Sequence, residues 1–311
     1  MKNRKIIIVL AILFLLIVAG ALGSVKGAKF LMEKYHYLRD KVTEIDRYNQ
    51  ENIRHYDFNY SWTEGNKLIA HAFGGKGSKT YTNAMEAFLY NYELGHRVFE
   101  VDFDLTTDNK TICCHDEEWW RYITGNEESG VEYSYENFKN TPLFNDYTPL
   151  DYKDIVDLLN EYPDIYIITD TKYSDELSVY KQFSQIVDYA KEVDPEVLDR
   201  IIPQVYTKDM LNYVMNIHDF RSVIFTLYQI QWEKEDIAKF CKRSGINYIT
   251  VSSDNIESDI LDLWKSMNIV VAVHTIDDTE EAKELIDEGV DMIYTNFIEP
   301  DDFAETSDAE G

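Results

Sequence analysis

Cysteine is scarce in this sequence: 3 in 311 residues, two of them adjacent (Cys113 and Cys114). Such a set cannot build a disulfide framework, so the fold does not depend on oxidation, and disulfide-scaffold and zinc-finger readings fall away. Glycine (13) and proline (6) are also few, which excludes collagen. No long Gly/Ser linker, basic tail or internal repeat of fixed period is present. Basic residues run short: 30 Lys+Arg face 57 Asp+Glu, a formal charge of −27. That balance excludes sequence-independent nucleic-acid binding and docking of the whole globular part on anionic lipid by charge alone. Only one long apolar run exists, residues 6–25, which excludes a channel or transporter. What is present is 45% hydrophobic and 14% aromatic residues, enough for a large packed core.

The N-terminus sets the expected location. Lys2, Arg4 and Lys5 precede 20 uncharged residues. At about 1.5 Å per residue these span about 30 Å as a helix, the thickness of a hydrocarbon core. The basic residues should stay cytoplasmic and send the remainder outward. The competing reading is a signal peptide cleaved near Ala19-Gly20-Ala21. Residues 1–27 are therefore expected to be an N-terminal transmembrane helix in the cell membrane or a secretory signal, and either exports the rest. Residues 28–65 read as a helical stalk, with Leu31, Tyr35, Leu38, Val42, Ile45 and Tyr48 along one stripe. Residues 301–311 form an acidic tail.

Between these ends, β-rich apolar runs at 68–73, 97–105, 164–170, 201–206, 222–227, 248–252, 269–275 and 291–295 alternate with helical patterns. Eight such units over residues 66–300 predict parallel pairing and an α/β fold, a TIM (β/α)8 barrel. No G-x-G-x-x-G follows the first run, so a dinucleotide fold lacks its marker. Residues 111–115 read as an extra short strand and residues 116–148 as an aromatic, acidic insertion, a size that usually carries substrate contacts or a lid.

In a barrel, reactive residues gather at strand C-termini. The first strand ends at His71, and the short extra strand closes with His115-Asp116. The second strand carries Glu100, Asp102 and Asp104, which period 2 puts on one face, and the third ends with Asp170 and Lys172. Carboxylates converging on one mouth need a cation between them, and an all-oxygen set selects a hard ion. Glu100, Asp102 and Asp170 are thus the candidate metal ligands. Two histidines beside them fit a general base and a general acid.

The ordered set His71-Ala-Phe-Gly-Gly, Thr82-Asn83, Glu100-Val-Asp102, His115-Asp116 and Asp170-Thr-Lys172 resembles the glycerophosphodiester phosphodiesterase family. The wider phosphatidylinositol phospholipase C-like superfamily is similar. The likeness runs on through Pro203-Gln-Val-Tyr206, Val273-His-Thr275 and residues 289–300. It implies a barrel with one divalent cation, Ca2+ or Mg2+, hydrolysing a small-molecule or lipid-derived phosphodiester next to a glycerol-like hydroxyl. By position, it makes His71 and His115 the acid–base pair and sets Lys172 near the phosphate. We favour His71 as base and His115 as acid. Trp119, Trp120, His274 and Asn83 are candidate substrate contacts.

Three departures bear on the substrate. Ala72 stands where the family usually has a phosphate-binding Arg, so Lys172, Arg121 or Lys76 must supply that charge. Asp170 replaces the commoner Glu; with Lys172 it is similar to the sphingomyelinase D-like phospholipases, whose outcome is a cyclic phosphate. His274-Thr275 replaces Trp-Thr. An inactive barrel with a binding role is the non-enzyme alternative.

Overall fold

The computed structural model describes residues 53–128, 130–227, 234–256 and 258–303. The expected anchor or signal (1–27), the stalk up to residue 52 and the tail beyond 303 lie outside the described residues. Among the described residues, no helix is long and apolar enough to cross a membrane.

Eight parallel strands close on themselves. β1 (Leu68–Ala70) pairs with both β2 (Val98–Leu105) and β9 (Met292–Thr295). From β9 the order runs through β8 (Val270–His274), β7 (Tyr248–Ser252), β6 (Ile224–Thr226), β5 (Ile201–Val205) and β4 (Tyr166–Asp170) to β2. The expected extra strand, β3 (Thr111–Cys113), lies antiparallel on the end of β2. Helices α1 (Met85–Glu93), α2 (Glu117–Thr124), α3 (Tyr135–Asn140) and α4 (Tyr152–Glu161) precede β4 in the chain. After the later strands come α5 (Glu176–Val193), α6 (Lys208–Ile217), α7 (Lys234–Ser244), α8 (Ser258–Ser266) and α9 (Thr279–Asp287). The TIM-barrel expectation is met.

Strand periodicity fills the barrel in layers. Ile69, Val98, Ile168, Ile202, Ile224, Tyr248, Ala272 and Met292 pack as one buried core. Along β2 the inward side reads Val98, Glu100, Asp102; along β4 it reads Tyr166, Ile168, Asp170. The interior therefore changes from apolar to acidic toward the strand C-termini.

The lower end is sealed by residues that the sequence reading assigned to the stalk. The Trp62 indole lies 5.2 Å from the Tyr248 ring and donates to Ser222 Oγ at 3.1 Å. Tyr60 donates its hydroxyl to the Val223 carbonyl at 2.7 Å. The Tyr56 and Asn59 amides bond to the Ser244 and Arg221 carbonyls. The compact unit accordingly begins at Arg54 rather than at residue 66, because these aromatic groups cover apolar side chains that the short strands leave open.

The insertion has a core of its own, formed by Trp120, Ile123, Tyr133, Phe138, Leu143 and Tyr147 with Ala84, Ile112 and Cys114. Trp120, expected to contact substrate, is fully buried in it against Tyr133 and Phe138, so its ring serves packing.

Candidate active site

Parallel pairing of β2 with β4 sets Asp102 directly across from Asp170, with Glu100 one pleat below. Ligand oxygens of these three buried carboxylates lie within 4.8 Å of one another. Glu100 Oε2 accepts the Ala72 amide at 2.9 Å. That bond depends on the turn after β1, where Ala72 takes φ 50° and Phe73 φ 69°. Gly74 follows at φ 82°, and a Cβ there would meet the Asn91 amide at 2.5 Å. Only glycine suits both the left-handed backbone and the close approach. Asn91 in turn donates to the Phe73 carbonyl at 2.9 Å and locks the loop.

Asn83, expected to touch substrate or cap a helix, leaves the N-cap of α1 to Ala84. It is fully buried and clamps Asp102: its amide donates to Oδ2 and its carbonyl accepts the Asp102 amide, both at 2.9 Å. Asp104, on the same strand, accepts from Tyr133 at 3.0 Å and Tyr173 at 2.6 Å, away from the triad.

Lys172 enters the triad from the loop after β4. Its Nζ lies 2.7 Å from Asp102 Oδ1 and 2.5 Å from Asp170 Oδ2. Burial opposes ionisation of Asp102, but Lys172, then His71 and His115, outweigh it and hold that carboxyl below its ordinary range. Burial, then Asp102 and Asp170, push Glu100 well upward; burial, then Asp102, raise Asp170 despite Lys172. Asp170 Oδ1 is buried without a hydrogen-bond partner among the described residues. An orphaned oxygen, three hard donors and two carboxyls pushed upward fit a divalent cation, which would remove the like-charge cost. Arg121 is committed to Glu117 and the Val131 carbonyl, and Lys76 sits over the Tyr90 ring. Neither supplies the charge missing at Ala72; Lys172 is the ammonium at the triad.

The two imidazoles flank this cluster. His71 Nε2 lies 3.8 Å from Glu100 Oε2, and Nδ1 lies 3.5 Å from Thr275 Oγ1. Burial lowers the His71 pKa, so the ring is disposed to be a neutral base. His115 is half-buried, and its Nδ1 bonds Asp116 Oδ2 at 2.6 Å. Asp116 is also the N-cap of α2, where Oδ1 accepts the Trp119 amide at 2.7 Å. One residue thus starts the helix and fixes the imidazole. His274 ends β8 half-buried, with its pKa lowered to about 4 by burial, then by His71 and Lys172.

Residues outside the sequence expectation complete the site. The Tyr81 ring lies 4.7 Å from His71, 6.3 Å from His115 and 6.2 Å from Trp119. Its carbonyl accepts the Trp119 indole N–H at 2.8 Å. Asn296, after β9, is held by Asp277, which accepts from its amide nitrogen at 2.9 Å, and its own Oδ1 is buried without a hydrogen-bond partner among the described residues. Tyr81 sits in a loop without periodicity; its adjacency to Thr82-Asn83 was the one available signal.

The C-terminal rim of the barrel thus gathers three hard oxygen donors, an ammonium and two imidazoles. The chain belongs to the glycerophosphoryl diester phosphodiesterase family, whose model matches residues 74–300, and it is thereby a phosphoric diester hydrolase. Solved structures agree on the fold. A glycerophosphodiester phosphodiesterase from Parabacteroides distasonis is 19% identical, with TM-score 0.59, covering 75% of this chain and 93% of its own. An Oleispira antarctica phosphodiesterase in complex with the product sn-glycerol-3-phosphate is 14% identical, with TM-score 0.61 and coverages of 74% and 93%. The glycerophosphodiester phosphodiesterase of Thermotoga maritima is 18% identical, with TM-score 0.56 and coverages of 74% and 94%. A search of curated proteins finds no match to this sequence.

Proposed function

We propose that this chain hydrolyses glycerophosphodiesters to a glycerol phosphate and an alcohol, with one Ca2+ or Mg2+ held by Glu100, Asp102 and Asp170. The observation that carries the reading is the approach of those three buried carboxylates to within 4.8 Å. When bound, the cation supplies Lewis-acid polarisation of a non-bridging phosphoryl oxygen. Lys172 adds a positive charge where negative charge grows in the transition state. His71, kept neutral by burial, takes the proton of the attacking water. The resulting hydroxyl bonds to phosphorus, the bond from phosphorus to the head-group oxygen breaks, and His115 gives that oxygen its proton. Asp116 bonds Nδ1 of His115 at 2.6 Å and fixes the orientation of the ring for this last transfer. Trp119 and His274 line the approach to the phosphate.

The exported arrangement belongs to the same proposal: residues 1–27 anchor the catalytic part outside the cell membrane, or are cut to release it. The Asp170–Lys172 ion pair favours a second outcome, in which a neighbouring substrate hydroxyl attacks and a cyclic phosphate forms. Phosphorus NMR of glycerophosphocholine and a lysophospholipid, incubated with the protein and added Ca2+ or Mg2+, separates the two. The expected result is a phosphomonoester resonance that is lost in Asp102→Asn. A cyclic-phosphate resonance establishes the second outcome, and unchanged substrate overturns both.

A further inference from the structure

Beside His115, between the loop after β1 and helix α2, opens a cavity of about 1090 Å3. One wall is aromatic. Tyr81, 6.3 Å from the His115 ring, meets Trp119 edge-on at 6.2 Å, and Trp119 lies 5.5 Å from Tyr122. These rings run from the imidazole out to solvent, where Tyr122 is 60% exposed. The remaining lining is acidic: Asp116, Glu117, Glu118 and Glu127 stand against a single cation, Arg121. That cation is already spent, since its guanidinium bonds Glu117 at 2.6 Å and the Val131 carbonyl at 2.8 Å. Asp116 is likewise occupied by His115 and the start of α2. Glu118 and Glu127 have no ion pair among the described residues.

From this wall we infer that the cavity seats the cationic head group of an amino-alcohol phosphodiester, with a quaternary ammonium of the choline type preferred. The inference deepens the proposed hydrolysis and rests on it for the orientation of the substrate. His115 gives its proton to the departing oxygen, so the departing alcohol must extend into the space that His115 borders. Ring faces attract an ammonium, and the carboxylates add to that attraction. An anionic head group meets like charge there, and a neutral polyol gains from neither feature. A methylated ammonium suits the site better than a primary one, because it donates no hydrogen bonds and is less strongly hydrated. Its transfer to a wall of rings therefore forfeits less.

The test compares kcat/KM of the full chain, with divalent cation present, on glycerophosphocholine and on glycerophosphoglycerol, whose head is neutral. The expected preference for the cationic head is about tenfold, falling to near parity in the double variant Tyr122→Ala/Glu118→Gln. Equal rates in the parent chain, or a preference that survives in the variant, overturn the head-group site while leaving the hydrolysis intact. Hydrolysis of neither substrate overturns the hydrolase reading instead. Calorimetry then decides the cavity on its own, with choline titrated against its neutral isostere 3,3-dimethyl-1-butanol. Binding of choline about tenfold tighter in the parent, and lost in the variant, sustains the inference; equal or absent binding of both overturns it.

Discussion

The two ends of the barrel are built on opposite terms. At the lower end, Trp62 and Tyr60 close over Tyr248 and satisfy their polar atoms on Ser222 and Val223. At the upper end, three carboxylates crowd together, two of them are pushed toward protonation, and one oxygen has no partner among the described residues. The lower end is satisfied and the upper end is frustrated. Frustration of this kind persists where it serves chemistry and is sustained by stability elsewhere. The rim should therefore govern rate and the base should govern folding.

Separate substitutions can break that division. The largest effect belongs to His115→Ala, which should lower kcat by about 10²–10⁴-fold. Because His115 is half-buried at a loop, its thermal midpoint should hardly move; a variant that loses activity only by unfolding would erase the distinction between the ends. Next comes Trp62→Ala, expected to cost about 3–5 kcal/mol in denaturant unfolding. Its folded fraction should keep the parent kcat, and a selective loss of kcat would show that the base reaches the chemistry.

A smaller effect sharpens the comparison from the rim. Burial and like charge raise the Glu100 pKa above its ordinary 4.5, so the metal-free fold favours the protonated form. Stability in chelator is then fully present below pH 4.5 and declines as pH rises through the raised value. Glu100→Gln should flatten that decline and raise the melting temperature at pH 8, although it removes a ligand. Melting curves from pH 4 to 8 check the sign. A lower midpoint in the variant at every pH would mean that the rim carboxylates stabilise the fold after all.

Much of this contrast was legible in the sequence, for a physical reason. Strand alternation assigns Val98, Glu100 and Asp102 to one face without any knowledge of the neighbours, and the strand–helix rhythm predicts the barrel that makes that face interior. Helix α2 shows where such reasoning stops. Trp119 and Tyr122 share one side of it and Trp120 and Ile123 another, yet spacing alone does not say which side is covered. Only the packing of Trp120 with Tyr133 and Phe138 decides this. Lys172 was expected near a phosphate, but its position between Asp102 and Asp170 depends on a left-handed residue, φ 48°, that no pattern announces. Asn83 was expected to contact substrate or cap a helix; here its loop folds inward and its amide matches the Asp102 backbone and side chain together, a fit that no spacing in the sequence announces. The lower seal was missed because Tyr60 and Trp62 precede the first strand and look continuous with the helical stripe before them.

The central claim is that a divalent cation held by Glu100, Asp102 and Asp170 is required for phosphodiester hydrolysis at this rim. Dialysis of the full chain against a chelator, followed by back-titration with Ca2+ or Mg2+ while glycerophosphodiester turnover is recorded, tests it most directly. Turnover should vanish on dialysis and return at one equivalent of cation per chain. Undiminished turnover in the chelator would contradict the account.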